Sequence, residues 1–233
     1  MSPIRGNPWK QLPAGALLAP SLLACDFARV GQQIDEVLAA GAAVLHVDIM
    51  DGHFVPNLSM GPGFVKKIRR YTAAPLDVHL MVTDPAYYIE KFADAGADSI
   101  TFHVEATAEA PRLIARLREL GLGAAVTIKP GTPAKAIRPV AADIDMVLVM
   151  TVEPGYGGQK FMEQMRAKIR DIRAMLRPDQ RLEVDGGINA VTAGLCASDG
   201  ADVFVAGEDI FGSGDIAAAV KRLQAAVGSG IAH

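Results

Sequence analysis

The sequence predicts an α/β protein built as a single (β/α)8 TIM barrel, and three observations predict it. Short apolar, often β-branched runs recur eight times. Each is followed by a polar or glycine-rich turn and then a longer segment of helical period. The starts of the runs lie about 20 to 36 residues apart, the length of one strand–helix unit. Strands that alternate with helices demand a parallel sheet, and eight units fit a closed barrel better than an open one.

In order, the strands are LLAPSLLA from Leu17, VLHVDIMD from Val44, LDVHLMV from Leu76 and SITFHVE from Ser99. GAAVTIK from Gly123, MVLVMTV from Met146, LEVDGG from Leu182 and DVFVAG from Asp202 complete the set. Between them, FARVGQQIDEVLAAG, DPAYYIEKFADAGAD and MEQMRAKIRDIRAML carry apolar residues at three- and four-residue spacing and read as amphipathic helices. Gly41, Gly96, Gly121 and Gly200 stand where helices should stop before the next strand. The first sixteen residues, punctuated by Pro and Gly and containing Trp9, read as a flexible extension. Residues 17–233 read as the catalytic barrel.

Composition narrows the function. The chain has 233 residues, 23 Lys+Arg against 26 Asp+Glu and a net charge of -3, which lacks the basic excess of a nucleic-acid binder. No apolar stretch is long enough to span a bilayer, and the N-terminus lacks a signal-peptide core. The two cysteines, Cys25 and Cys196, are far apart with no CxxC, so a reducing, cytoplasmic setting is expected. No GxGxxG follows the first strand, which argues against a dinucleotide site.

In a barrel, chemistry belongs at the carboxyl ends of the strands. Alternation places His46, Asp48 and Met50 on one face of the second strand, and His79 and Met81 on one face of the third. Asp185 ends the seventh strand. A single inward histidine is usually a hydrogen-bonded core residue. Two His and two Asp at strand ends read either as metal ligands or as a polar cluster; as ligands they suit Zn, Mn, Fe or Co. Glycines crowd the last three loops, EPGYGGQKF, DGGIN and AGEDIFGSGD. Such loops bring backbone N–H groups close to a phosphate, or merely serve turns.

The segments APSLLACDF, LHVDIMDGHFVPN, DVHLMV, VMTVEPGYGGQKFM and EVDGGI, in this order, resemble the ribulose-phosphate 3-epimerase family across nearly the whole chain after residue 16. The resemblance implies a ribulose-phosphate-binding barrel and one divalent metal cation (Zn, Fe, Mn or Co) held by His46, Asp48, His79 and Asp185. It implies that Asp48 and Asp185 are the catalytic acid/base pair, and that Ser21, His79 and Asp185 touch substrate. The phosphate would lie among Gly155, Tyr156, Gly157, Gly158, Gly186, Gly187, Gly207 and Glu208, while Met50, Met81 and Met150 would wall the reacting carbons. The expected reaction interconverts D-ribulose 5-phosphate and D-xylulose 5-phosphate through an enediolate, in a cytoplasmic homo-oligomer of the pentose phosphate pathway. Its partner is a small ketose phosphate.

Glu208 and Asp209 depart from the family, which has Ser or Thr and then a small residue there. Two acids beside a phosphate would repel it if they faced inward. That leaves open a 3-epimerase acting on another ketose phosphate, and a barrel that binds sugar phosphate without turnover. A lyase or decarboxylase would need a lysine that HVDIMD lacks. His103, Glu105 and Lys129 read as structural or supporting rather than catalytic, and His53 as a loop contact.

Overall fold

The computed structural model describes residues 6–230. Residues 1–5 of the expected extension and 231–233 of the expected barrel lie outside the described residues. The strands are β1 (Leu17–Pro20), β2 (Leu45–Met50), β3 (Leu76–Met81), β4 (Ser99–His103), β5 (Gly123–Ile128), β6 (Met146–Met150), β7 (Arg181–Asp185) and β8 (Val203–Ala206). Neighbouring strands pair in parallel, in the order β1-β8-β7-β6-β5-β4-β3-β2. The remaining seam, between β1 and β2, is drawn together by a parallel bridge from Ser21 to His46 and by the Ala43 N–H, which donates to the Leu18 carbonyl at 3.2 Å.

Helices α1 (Val30–Ala39), α2 (Pro62–Tyr71), α3 (Pro85–Ala95), α4 (Ala110–Glu119), α5 (Met165–Arg173), α6 (Ala190–Ser198), the short α7 (Glu208–Phe211) and α8 (Ile216–Gly230) surround the barrel. Pro opens α2 and α3, where its missing N–H costs nothing. A reciprocal cap between Asn189 and Thr192 opens α6. The four glycines read as helix stops all take positive φ. Between β5 and β6 the chain makes only a 3-10 turn, Ala134–Ile137, because Pro130, Gly131, Pro133 and Pro139 interrupt any longer helix.

Alternation divides each strand. Val47, Val78, Ile100, Val126, Val184 and Phe204 face the helices and join the large apolar layer between barrel and helices. Leu17, Ala19, Ala125, Met146, Val203 and Val205 form a smaller cluster with Trp9.

That cluster corrects the expectation of a flexible extension for residues 7–16. A barrel must be closed at the end away from its active site, and Trp9 does this. The residue is 4% exposed, and its indole N–H donates to Ser99 Oγ at 2.8 Å. Gly123 makes room for it, since a Cβ there would lie 2.7 Å from the indole. Arg181 then fixes the following segment by donating to the Gly15 carbonyl at 3.1 Å and the Pro13 carbonyl at 2.5 Å. Pro and Gly here shape a stopper. Trp9→Ala should destabilise the fold by about 3 to 5 kcal/mol, as expected for a large core truncation, with active-site geometry unchanged. Urea unfolding followed by circular dichroism measures it.

Candidate active site

At the opposite end of the barrel, β2 and β7 aim Asp48 and Asp185 toward one space, with β1 and β8 between the two strands. Register sets the neighbours: Asp48 lies opposite His79 and His46 opposite Asp77. Asp48 Oδ1 is 3.3 Å from His46 Nε2 and 3.1 Å from His79 Nδ1, while Asp185 Oδ2 is 3.9 Å from the same His79 nitrogen. One ligating atom from each of these four residues fits within 4.8 Å of the others. The structure therefore brings together all four residues picked as metal ligands. Ser21 joins them, its hydroxyl donating to Asp48 Oδ2 at 2.6 Å.

Electrostatics divide the two acids. Burial pushes Asp48 up, but His46 first and His79 with it outweigh that and hold its carboxyl well below the usual range. Burial raises Asp185, and the nearby charge of Asp48 raises it further. For His46 burial acts downward, yet Asp48, Glu183 and Asp77 hold it well above an ordinary histidine.

Sequence reasoning missed the two acids beneath the cluster. Asp77 Oδ2 lies 3.0 Å from His46 Nδ1 and Glu183 Oε1 lies 3.6 Å from it, with all three side chains fully buried. The signal was present, because Asp77 and Glu183 each stand two residues before a chosen residue on the same strand face. Burial pushes the Glu183 carboxyl up, and the charge of Asp77 raises it further. Asp77 orients the ring of His46 and leaves Nε2, which is buried without an aligned partner, facing the space between the four cluster residues. A buried imidazole nitrogen without an aligned partner, flanked by two carboxylates, is the donor set a borderline divalent cation fits once it displaces the proton those acids hold on the ring.

A cavity of about 1120 Å³ opens above the cluster, and Met50, Met81 and Met150 line its inner wall, each almost fully buried. Its far side is lined by the predicted glycine loops: Gly155 to Gly158 with Tyr156, then Gly186 and Gly187, then Gly207 and Glu208. Gln159 braces the first loop by donating to the Glu153 carbonyl at 2.6 Å and the Tyr156 carbonyl at 2.9 Å. The two departing acids are accounted for. Asp209 pairs with Arg222 at 2.9 Å, and Glu208 is exposed, its carboxylate folded back against Gly212.

The other candidates are placed as well. His53 is exposed, and its ring contacts the Asp51 carbonyl. Lys129 sets its ammonium 3.9 Å from the centre of the Phe54 ring and does not line the cavity. His103 lies deeper, its Nε2 3.0 Å from His79 Nε2. Burial pushes His103 down to about 4, and it lowers His79 too, so both rings are neutral. Glu105 sits behind His103; burial raises its carboxyl, but bonds from His103, Thr132 and the Lys129 backbone hold it down at about 2.

Asp51 organises the loop at the mouth of the barrel. Its Oδ1 accepts from the His53 and Phe54 N–H groups, each at 2.8 Å, and its Oδ2 from the N–H and hydroxyl of Thr83 at 2.8 and 2.9 Å. Partial burial raises its pKa, but these donors outweigh it and hold the carboxyl below 3.8. Stability from such a group is present above the unfolded pKa and lost as pH falls through the folded one. Asp51→Ala should therefore melt earlier than wild type at pH 7, by about 1 kcal/mol for so exposed a group. The gap should close below about pH 3.8 in parallel thermal melts.

Residues 17–211 match the profile described as the Ribulose-phosphate 3 epimerase family. The ribulose-phosphate 3-epimerase of Bacillus subtilis is 44% identical over 211 residues, covering 89% of this chain and 97% of that one. The enzyme of that name from Rhodobacter capsulatus is 49% identical over 201 residues, covering 85% and 87%. Among solved structures, 3-hexulose-6-phosphate synthase from Salmonella typhimurium superposes with a TM-score of 0.69 at 18% identity, covering 92% of this chain and 99% of that chain, a likeness of fold. Among the described residues no helix is long and apolar enough to cross a membrane.

Proposed function

Given that the chain belongs to the ribulose-phosphate 3-epimerase family, we propose that it interconverts D-ribulose 5-phosphate and D-xylulose 5-phosphate by passing a proton at C3 between Asp48 and Asp185. The observation that carries this reading is the pair itself: two carboxylates facing one cavity, one held ionised and the other pushed toward protonation.

Inversion beside a ketone needs a proton removed from one face of the carbon and another delivered to the opposite face. One group cannot reach both faces; two on separate strands can. In the resting enzyme Asp48 is the base, kept ionised chiefly by His46, and the Ser21 hydroxyl fixes its second oxygen. Asp185 holds its proton ready for the other face. In the reverse direction the roles exchange. The methionines offer the enediolate an apolar wall that keeps water from quenching it, and the glycine loops hold the phosphate some distance from the chemistry through backbone N–H groups. His46, Asp48, His79 and Asp185 would hold one divalent cation, which when bound supplies positive charge to the developing enediolate oxygens.

A different ketose phosphate would be favoured if Glu208 and Asp209 faced the cavity. Both acids line its far end together with Gly212 and Arg222, but the Asp209 charge is paired with Arg222 and the Glu208 carboxylate turns toward Gly212, which weakens that motive. The test is to incubate metal-loaded protein with D-ribulose 5-phosphate in D2O and follow it by NMR. Xylulose 5-phosphate carrying deuterium at C3 supports the reading. Absence of both product and exchange, with turnover of another ketose phosphate, replaces it.

A further inference from the structure

We propose that His103 is a positioning residue for the metal site: it accepts a hydrogen bond from the Nε2–H of His79 and so fixes His79 in the tautomer whose bare Nδ1 faces Asp48 and Asp185. The inference rests on the reading of that cluster as a metal site.

Four groups stand in a row from the cavity toward the outside of the barrel. The gaps are 3.1 Å from Asp48 Oδ1 to His79 Nδ1, 3.0 Å from His79 Nε2 to His103 Nε2, and 3.4 Å from His103 Nδ1 to Glu105 Oε2. Each end is a carboxylate, and the two facing Nε2 atoms at 3.0 Å can share only one proton, so one ring donates and the other accepts. A cation held by Asp48 and His79 takes the lone pair of His79 Nδ1, so on that reading the proton of this ring sits on Nε2 and His103 Nε2 is the acceptor. The proton of the His103 ring is then on Nδ1, facing Glu105 Oε2 at 3.4 Å. Glu105 is held in place there: its other oxygen accepts from the Lys129 N–H at 2.8 Å and from the Thr132 hydroxyl. Lys168 on α5 holds that loop in turn, donating to the Lys129, Pro130 and Thr132 carbonyls at 3.1, 2.6 and 2.7 Å.

His103 Nδ1, buried without an aligned acceptor and 3.4 Å from Glu105 Oε2, therefore carries its ring's proton. Its Nε2 is bare and accepts from His79. The gap left without a proton is the one between His79 Nδ1 and Asp48, inside the four-residue cluster, where a cation supplies the missing positive charge. Running the chain the other way would put an N–H where the cation must bind. Phe54 packs against His103, with ring centres 4.7 Å apart.

The zinc-loaded protein, labelled with 15N-histidine, has five rings to resolve. Long-range 1H–15N spectra should show His79 protonated at Nε2 and His103 at Nδ1; either ring in the opposite tautomer overturns the inference. Zinc affinity is then measured by competition with a chromophoric chelator. His103→Leu, which cannot accept, should lose roughly 10- to 100-fold. His103→Gln, whose side-chain oxygen can accept, should stay within a few-fold of wild type. Melting of the metal-free variants checks that both fold, and the wild-type spectra decide the matter if Leu does not. Equal affinity in all three proteins, or equal loss in both variants, overturns the inference. Wild-type protein that takes up no zinc overturns the metal reading beneath it, whereas zinc uptake with the wrong tautomers overturns this step alone.

Discussion

Asp185→Asn should abolish epimerisation in both directions, lowering kcat by about 10²- to 10⁴-fold or more, while leaving solvent exchange at C3 of one epimer and not the other. The asymmetry follows from the geometry. Asp48 reaches the cavity from β2, retains the His46 contact that keeps it ionised, and still has the Ser21 hydroxyl on its second oxygen. It can take a proton from the face it meets and return one to that same face, so deuterium enters without inversion. A carboxamide in place of the Asp185 carboxyl can neither remove nor supply the proton on the other face. Asp48→Asn should give the mirror result, with exchange in the other epimer. Loss of one cluster carboxylate also weakens the metal site, so both variants are assayed at saturating metal with bound metal determined directly. Exchange in both epimers, or epimerisation close to wild type, would mean that Asp185 is not the second acid/base group.

How far the sequence foretold this arrangement depended on whether a residue's role was local. Strand ends and period-two alternation put His46, Asp48, His79 and Asp185 on inward faces, and register then brought them together as expected. The same rule would have found Asp77 and Glu183, but buried carboxylates read as outliers until the histidine they orient is seen beside them. His103 and Glu105 were visible as a pair on one face. Their link to His79 crosses between adjacent strands and depends on side-chain direction, which alternation does not specify. Trp9 was the larger miss. Its neighbours Ser99 and Gly123 lie some 90 residues or more away in the chain, and local composition in a Pro- and Gly-rich segment says nothing about so distant a seat. The turn of Glu208 toward Gly212 belongs to the same class: the residue was noticed, and only packing showed where its charge went.

Gly187→Ala should damage the phosphate end of the cavity more than any other single-methyl change in those loops. Gly187 has φ +65, a conformation that costs an L-residue about 1 to 2 kcal/mol. A Cβ there would lie 2.5 Å from the Phe161 nitrogen, 2.8 Å from its Cα and 2.9 Å from the Gln159 carbonyl oxygen. All three are backbone, so no flexible side chain can yield. The loop after β7 and the loop after β6 must separate, at a further cost of about 1 to 3 kcal/mol for overpacking. Those are two of the three loops that line the phosphate end, so their N–H groups would no longer converge on one anion. The expected result is a KM for D-ribulose 5-phosphate raised at least about tenfold, as for loss of about 1.4 kcal/mol of binding, together with a lower melting temperature. Gly157→Ala is the control, because its Cβ would meet nothing within 4 Å and its φ is not positive; it should keep wild-type stability. If Gly187→Ala keeps both wild-type KM and wild-type melting, the close approach of the two loops is not what shapes the phosphate site. If melting falls while KM holds, the contact supports the fold and the phosphate is held elsewhere.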